Sequence, residues 1–302
     1  MTRSRLELAI GPLLFNWPFE RVAAFYDQIA REPAVDRVYL GEVVCGKRGP
    51  LLAQALAQAA DTLAAAGKTV VWSTLALPAL PRDRQAIAAL SADPALVEIN
   101  DMSGLAHRPA GAPFVAGPLL NIYNEAAAGE LMARGCVRLC ANIELSLPAL
   151  AMLSAGCPGL EIELFAFGRL PLALSGRCYH ARSRGLHKDN CQFVCDRDPD
   201  GLAVETLDHA GFLAVNGVQT LSHGVQVVDT PPEALRAAGV TALRLSPHSG
   251  DMAQIIAGFR AHADGLLSPG DLAARIRATN PPGPLVNGYA QGQAGARWMA
   301  AS

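Results

Sequence analysis

Apolar runs of strand length alternate with helix-like runs over most of the chain. The run at 6–15 precedes a helical segment at 18–32, and the run at 35–44 precedes one at 50–67, where Gly67 suits a helix C-cap. Further strand-like runs occur at 69–77, 96–100, 113–120, 136–145, 160–168 and 240–247. The pattern therefore predicts eight strands with helices between them.

Eight nearly continuous apolar strands that alternate with helices indicate a parallel sheet covered by helices, and eight strands close a TIM-like (β/α)8 barrel. A doubly wound open sheet is the alternative. The tetrapeptide GPLL occurs at 11–14 and again at 117–120, in the first and fifth predicted strands, as duplicated half-barrels would place it. We predict a single α/β barrel domain over residues 1–302.

A long segment, 169–238, separates the seventh predicted strand from the eighth, whereas βα loops usually span roughly 2–6 residues. We interpret it as an insertion. Within it, 202–208 and 211–222 predict a β-hairpin that turns at 209–211. The segment 281–302 is punctuated by Pro and Gly and predicts a tail that packs back on the barrel. Long loops at the C-terminal face of a barrel usually carry function.

Composition narrows the class of protein. The chain is 51% hydrophobic and 17% charged, with a formal net charge of -2, so binding to nucleic acid through overall charge is not expected. No apolar run approaches the roughly 18 charge-free residues that span a bilayer. Glu7 interrupts the first apolar stretch and no small-residue cleavage site follows it. We expect a cytoplasmic protein without a membrane span.

The chain has seven cysteines, which in a reducing compartment favours ligands or core thiols over disulfides. Cys178, Cys191 and Cys195 lie in the insertion with the spacing C-x12-C-x3-C. Cys45 ends the second predicted strand, at the barrel face where the insertion emerges. We therefore expect four thiolates to converge at this face.

Four cysteines suit either a [4Fe-4S] cluster or a tetrahedral zinc ion. Zinc sites favour paired C-x2-4-C ligands, whereas here one ligand is remote in sequence and no C-x2-C pair exists, so the spacing favours the cluster. A zinc-stabilised binding module without redox chemistry is the alternative. Basic residues flank the cysteines and either offset a cluster's negative charge or form a solvated or RNA-contacting loop: Lys47, Arg48, Arg177, Arg182, Arg184 and Lys188.

Three further cysteines and two glutamates also need an assignment. Cys136, Cys140 and Cys157 lie in or beside apolar runs and are predicted to be core thiols. Glu42 and Glu144 are each set within an apolar run, so each would need a partner once buried. They are the candidate catalytic residues. Protease chemistry finds no support, because the chain has neither a G-x-S-x-G nor an H-E-x-x-H motif.

The sequence resembles a known family in five segments. LEIELFAFGRLPLALSGRCYHAR (160–182) and KDNCQFVC (188–195) resemble the signature region of the collagenase-like peptidases, peptidase family U32. GPLLFNWP (11–18), VDRVYLGEVVCGKR (35–48) and NGYAQGQAG (287–295) extend the resemblance over nearly the whole chain.

The resemblance implies a barrel that holds a [4Fe-4S] cluster on Cys45, Cys178, Cys191 and Cys195. It also implies an enzyme of anaerobic ubiquinone biosynthesis, in which this chain is the iron–sulfur subunit of a heterodimer with a UbiU-like partner and a ubiquinone precursor is hydroxylated without O2. Other members hydroxylate an RNA base, which is the alternative. Many relatives carry a histidine where this chain has Phe167, so peptidase activity is not expected.

Overall fold

The computed structural model describes residues 5–300; the ends of the predicted domain and tail, residues 1–4 and 301–302, lie outside the described residues. Eight parallel strands form a barrel: β1 (Glu7–Ile10), β2 (Arg37–Leu40), β3 (Thr69–Ser73), β4 (Val97–Ile99), β5 (Phe114–Ala116), β6 (Cys136–Cys140), β7 (Glu161–Leu174) and β11 (Val240–Leu245). Neighbouring strands pair in that order, and β11 pairs with both β1 and β7, so the sheet closes on itself. The predicted TIM-like (β/α)8 barrel is confirmed, and the open sheet is wrong.

Helices cover the outside of the barrel: α1 (Phe19–Arg31), α2 (Gly49–Ala65), α3 (Pro81–Ala92), α4 (Glu125–Met132), α5 (Leu147–Gly156), α6 (Tyr179–Ser183), α7 (Pro232–Ala237), α8 (Met252–Ala263) and α9 (Pro269–Ala278). Short 3₁₀ helices span Met102–His107, Pro118–Leu120, Lys188–Asn190 and Val194–Arg197. Helix α1 shows why these segments pack on the sheet: Val22, Phe25, Tyr26 and Ile29 recur at helical spacing and are buried. No helix within residues 5–300 is long and apolar enough to cross a membrane.

The segment 169–238 adds an antiparallel layer to the barrel. Strand β7 continues beyond the barrel and pairs with β10 (Gln219–Val227), which pairs in turn with β9 (Gly211–Asn216) and β9 with β8 (Leu202–Glu205). The hairpin between β8 and β9 turns at 206–210, where the Thr206 N–H donates to the Ala210 carbonyl, so the turn begins earlier than the predicted 209–211. The run 211–222, however, is two strands rather than one, because the chain reverses at Gly217, whose φ of 63° suits glycine. Strand β12 (Leu285–Val286) pairs with β10 and holds the tail against the barrel.

Charged side chains fill the barrel lumen, where most such barrels pack aliphatic layers. Arg244 of β11 donates from Nη1 to Glu98 Oε1 at 2.5 Å and from Nε to Glu163 Oε1 at 2.6 Å. Its guanidinium carbon also lies 3.9 Å from the centroid of the Tyr39 ring. Tyr39 Oη donates to Glu163 Oε2 at 2.6 Å, so both oxygens of that buried carboxylate have partners.

The lumen network continues toward the N-terminal end of the strands. Arg138 of β6 donates to Glu7, Glu161 and Glu163. Burial alone would raise the pKa of Glu163, but the guanidinium groups of Arg244 and Arg138 hold it below its ordinary value. Glu163 is therefore ionised, and both of its oxygens are paired within the lumen.

Candidate functional site

Four of the seven cysteines line one small, partly open cavity beside the C-terminal mouth of the barrel. Cys45 follows β2 and faces the insertion, which supplies Cys178, Cys191 and Cys195. Cys178 is the N-cap of α6, and Cys195 lies in the 3₁₀ helix Val194–Arg197. The cavity is thus shared between a barrel loop and the insertion.

Lys47 places N–H groups near two of the sulfurs. Its backbone N–H acts to lower the pKa of the Cys45 thiol, against the larger effect of burial, and its Nζ lies 3.6 Å from Cys191 Sγ. The same Nζ also donates to the carbonyls of Lys188 and Asp189, at 2.7 and 3.0 Å. One side chain therefore ties the barrel loop to the insertion and points a positive charge at a sulfur.

The other two sulfurs also receive N–H groups. The Ala181 backbone N–H donates to Cys178 Sγ at 3.3 Å, as an N-cap side chain requires. Asn16 Nδ2 lies 3.5 Å from Cys195 Sγ, and both residues are buried. All four sulfurs thus face donors, the arrangement that stabilises thiolates bound to a metal.

Arg48 places a permanent positive charge under the cavity. It is 1% exposed, and it donates to the Leu14 carbonyl at 2.9 Å and to Asn216 Oδ1 at 2.8 Å. Burial would lower the pKa of Arg48, but Glu42 and the thiols of Cys195 and Cys45 raise it above its ordinary value. Asn216, at the end of β9, was not among the predicted site residues, and only the fold shows that it holds this charge in place.

The turn between Cys191 and Cys195 is strained. Gln192 and Phe193 have φ angles of 48° and 53°, in the left-handed region that costs residues other than glycine about 1–2 kcal/mol each. The turn brings both cysteines to the same cavity, and strain of this kind concentrates at functional sites. Neither residue type signals such a conformation in the sequence.

Comparison with known proteins identifies the family. The model of peptidase family U32 matches residues 20–300. The chain belongs to this family. Among solved structures it is similar to phospho-2-dehydro-3-deoxyheptonate aldolase from Thermotoga maritima, with 11% identity over 93% of this chain and 71% of that chain, and a TM-score of 0.32.

Phe167, which the sequence resemblance singled out, lies in β7. It is fully buried, and its ring centroid lies 5.4 Å from that of His248 and 5.9 Å from that of Phe259. The position therefore contributes an apolar ring to the packing and no polar group.

The two candidate glutamates have different surroundings. Glu42 Oε1 accepts from the Val44 and Cys45 backbone N–H groups at 2.7 and 2.8 Å, while its Oε2 is buried without a partner among the described residues. Burial raises the pKa of Glu42 above its ordinary value. Glu144 is exposed and accepts from Tyr123 Oη at 2.8 Å, so its expected burial is wrong. Of the two, Glu42 contacts the cysteine loop.

Glu42 also lies beside a cleft between α2 and α3 with about 1040 Å³ of empty space, including its open side. The apolar residues that line this cleft include Ala53, Leu56, Trp72, Ala86, Ile87 and Leu90. The cleft also borders Gly46, which follows Cys45 in the chain. An apolar ligand there would lie next to the cysteine loop.

A basic depression lies next to the cysteine cavity. Arg177, Arg182 and Lys188 form it, and it reaches Cys178. Tyr179, which follows Cys178 in the sequence, is 48% exposed.

The remaining cysteines, Cys136, Cys140 and Cys157, are buried in the protein and do not line the cavity. Among residues 5–300, no three His, Cys, Asp or Glu side chains form a group that could hold a metal ion.

Proposed function

We propose that this chain holds a [4Fe-4S] cluster on Cys45, Cys178, Cys191 and Cys195. As the iron–sulfur subunit of an oxygen-independent hydroxylation system, it would act with a UbiU-like partner in anaerobic ubiquinone biosynthesis. The observation that carries the proposal is the cavity that these four cysteines share, in which each sulfur faces an N–H donor.

The charges around the cavity fit such a cluster. An oxidised cubane on four thiolates carries a net charge of about -2, which a buried site must offset. Arg48 and Lys47 line the cavity, and Lys188 lines it from the insertion. When bound, the cluster would supply one-electron redox chemistry. The protein's own part is to hold the four sulfurs, offset their charge and keep them partly shielded from solvent.

The cysteine spacing supports the zinc alternative less well. Structural zinc sites usually draw their ligands from two closely spaced pairs. Here Cys191 and Cys195 form one such pair, whereas Cys178 and Cys45 are remote from it in sequence. The spacing therefore supports the cluster over a zinc-stabilised module.

The ubiquinone role rests on the resemblance within the U32 family, and the α2–α3 cleft is consistent with it. A prenylated ubiquinone precursor has a large apolar surface, and the cleft offers apolar walls of matching chemistry next to the Cys45 loop. Glu42 is one of the polar residues that such a ligand would meet in the cleft, together with Ser73, Thr74, Arg82 and Asp83.

Hydroxylation of an RNA base is the second candidate, and the basic depression favours it. Arg177, Arg182 and Lys188 could contact phosphates beside Cys178. RNA-binding sites also stack bases on aromatic side chains. Among the described residues, His187 is the one ring that lines the depression, and Tyr179 is a nearby exposed ring. This small stacking surface makes the RNA role the weaker candidate.

Purification without oxygen tests the cluster directly. We expect a brown protein with about four irons and four sulfides per chain, measured by metal and sulfide analysis and by the visible absorption spectrum. Stoichiometric zinc without iron would refute the cluster and favour the zinc-stabilised module.

Genetics and coexpression test the role. We expect coexpression with a UbiU-like protein to yield a stable heterodimer by size-exclusion chromatography and mass measurement. Deletion of either gene should abolish ubiquinone only in anaerobic growth. Normal anaerobic ubiquinone together with loss of a hydroxylated RNA base would instead establish the second candidate.

A further inference from the structure

The α2–α3 cleft is large enough for a ligand of ordinary size. A volume of about 430 Å³ is open in it to water-sized molecules, within the roughly 300–1,000 Å³ of typical ligand pockets. Ala53 and Leu56 line it from α2, Ile87 and Leu90 line it from α3, and Trp72 lines it from β3. These walls suit a hydrocarbon chain.

The polar lining residues gather at one end of the cleft. Each lies at or after the C-terminal end of β2 or β3, or in the first turn of α3: Glu42, Ser73, Thr74, Arg82 and Asp83. Leu56 and Leu90 lie about two turns along their helices, away from the Cys45 loop. The cleft therefore fits an amphiphilic ligand whose polar head lies beside that loop and whose chain runs between the helices.

The lining residues also set the length of chain that the cleft can hold. Gly49 and Leu56 line it seven residues apart on α2, which is about 10 Å of helix. Arg82 and Leu90 bound a stretch of about 12 Å that begins at α3's first turn. An extended hydrocarbon advances about 1.3 Å per carbon, since its bonds of about 1.5 Å run in a zigzag. The cleft thus holds about eight carbons in a row, the main chain of two isoprene units.

We propose that this cleft binds the ring and the first two isoprene units of a prenylated phenol, with the ring at the Cys45 end. A longer tail leaves the cleft beyond Leu56 and Leu90. The identity of the natural ligand rests on the proposed function. The site itself does not, because none of the four cysteines lines the cleft.

A series of 4-alkylphenols with chains of two to twelve carbons measures the capacity of the cleft. We expect the affinity for the anaerobically purified full chain to rise about twofold to threefold per carbon up to about eight carbons and then to level off. Full burial of a CH2 group would strengthen binding about fourfold, and the open side of the cleft reduces this gain. Isothermal titration calorimetry, below the concentration at which each phenol forms micelles, measures the affinities.

Ala86→Phe tests whether the chain lies between the helices. Ala86 lines the cleft and is exposed, about 6 Å along α3 from Arg82, so a ring there should halve the available length. The affinity should then level off at about four carbons. The matched control is Ala89→Phe, because Ala89 is exposed on the same helix but does not line the cleft. That variant should keep the limit of about eight carbons.

Thermal unfolding checks that both variants are folded. If Ala86→Phe does not fold, Ala53→Phe makes the same test from the opposite wall, since Ala53 is exposed and lines the cleft from α2. The wild-type series needs neither variant.

Three results would overturn the proposal. Affinity that does not depend on chain length would show that the hydrocarbon lies outside the cleft, and affinity that still rises at twelve carbons would show that the cleft does not confine it. The same limit in Ala86→Phe and Ala89→Phe would place the chain elsewhere. Displacement of the phenols by a UbiU-like protein would make the cleft a docking site for that partner.

The proposed function can fail separately. Iron analysis and the deletion phenotype test it, whereas the phenol series tests only the cleft. Binding with the expected limit in a protein whose deletion leaves anaerobic ubiquinone normal would keep the site and refute the ubiquinone role.

Discussion

The barrel lumen and the cysteine cavity both gather polar side chains at the centre of the molecule, but they differ in what completes them. In the lumen, Glu163 has a partner for each oxygen and Arg244 contacts two carboxylates. In the cavity, donors such as Lys47 and Asn16 face sulfurs, which accept hydrogen bonds weakly while they remain thiols. We infer that the protein itself supplies the partners of the lumen carboxylates, whereas the cavity needs an occupant that makes its sulfurs strong acceptors.

The thiols themselves show the same contrast. Burial raises the pKa of Cys136 to about 11, and it raises that of Cys140 still further above its ordinary value. Burial also raises the pKa of Cys45 and Cys178, and Arg48 opposes this shift there as Arg244 does at Cys140. What distinguishes the cavity thiols is that they share one cavity, in which N–H donors face the sulfurs.

The largest expected effect concerns iron. Replacing Cys45, Cys178, Cys191 or Cys195 by Ala should remove most of the iron, because an open corner makes a cluster labile. The control Cys140→Ala should keep its iron and lose about 1–2 kcal/mol of stability through a small cavity. Iron analysis and urea unfolding of anaerobically prepared variants measure the two effects. Full iron in Cys45→Ala would show that the remote ligand is misassigned.

The next effect concerns the lumen. Glu163→Gln should lower the free energy of unfolding by about 3–5 kcal/mol, because it leaves Arg244 and Arg138 without part of their countercharge. The control is Glu205→Gln, since the exposed ion pair of Glu205 with His209 should be worth little. Urea unfolding compares the variants. A cost below 1 kcal/mol for Glu163→Gln would mean that water or rearranged side chains complete the lumen.

The sequence predicts the barrel better than its contents. Apolar strand runs locate all eight barrel strands, since each strand is buried on both faces. The same runs contain Glu98, Glu163 and Arg244, whose mutual contacts join residues 81 or more positions apart. Periodicity carries no information about which of them pair.

Two predictions from the sequence were wrong because of turns in the chain. The turn that divides the run 211–222 consists of Gly217 and Val218, between the paired residues Asn216 and Gln219. Glycine at the first turn position is typical of two-residue hairpins, but the apolar residues around it obscure this signal. Glu144 is exposed because the Asn142 side chain accepts from its backbone N–H and turns the chain just after β6. The cysteine spacing predicts three members of the site, but only the barrel geometry brings Cys45 to them.

The next effect is the loss of stability in acid, which we expect in the lumen network through Glu7. Burial would raise the pKa of Glu7, but Arg138 and Arg37 lower it from 4.5 to about 2. A carboxylate with a lowered pKa stabilises the fold above pH 4.5, and this stability is lost as the pH falls toward 2. Because Glu7 is 23% exposed, we expect a contribution of about 2 kcal/mol.

Urea unfolding at several pH values, with iron-free protein, measures this contribution as the difference between wild type and Glu7→Gln. The difference should be largest near pH 6 and should vanish near pH 2. A difference that is constant over this range would mean that Glu7 stabilises the fold through packing and not through its charge.

The smallest effect should come from Lys47, which tests whether the cavity's donors act on its occupant. Lys47→Met keeps all four cysteines but removes the positive charge beside Cys191 Sγ, so the protein should keep its iron while its reduction potential falls by about 50 mV. Lys68→Met is the control, because Lys68 also donates to two backbone carbonyls but lies at the other end of the barrel strands. Potentiometric titration compares them. Equal potentials in the two variants would show that the lysine only joins the loop to the insertion, and the contrast between cavity and lumen would then rest on the sulfurs alone.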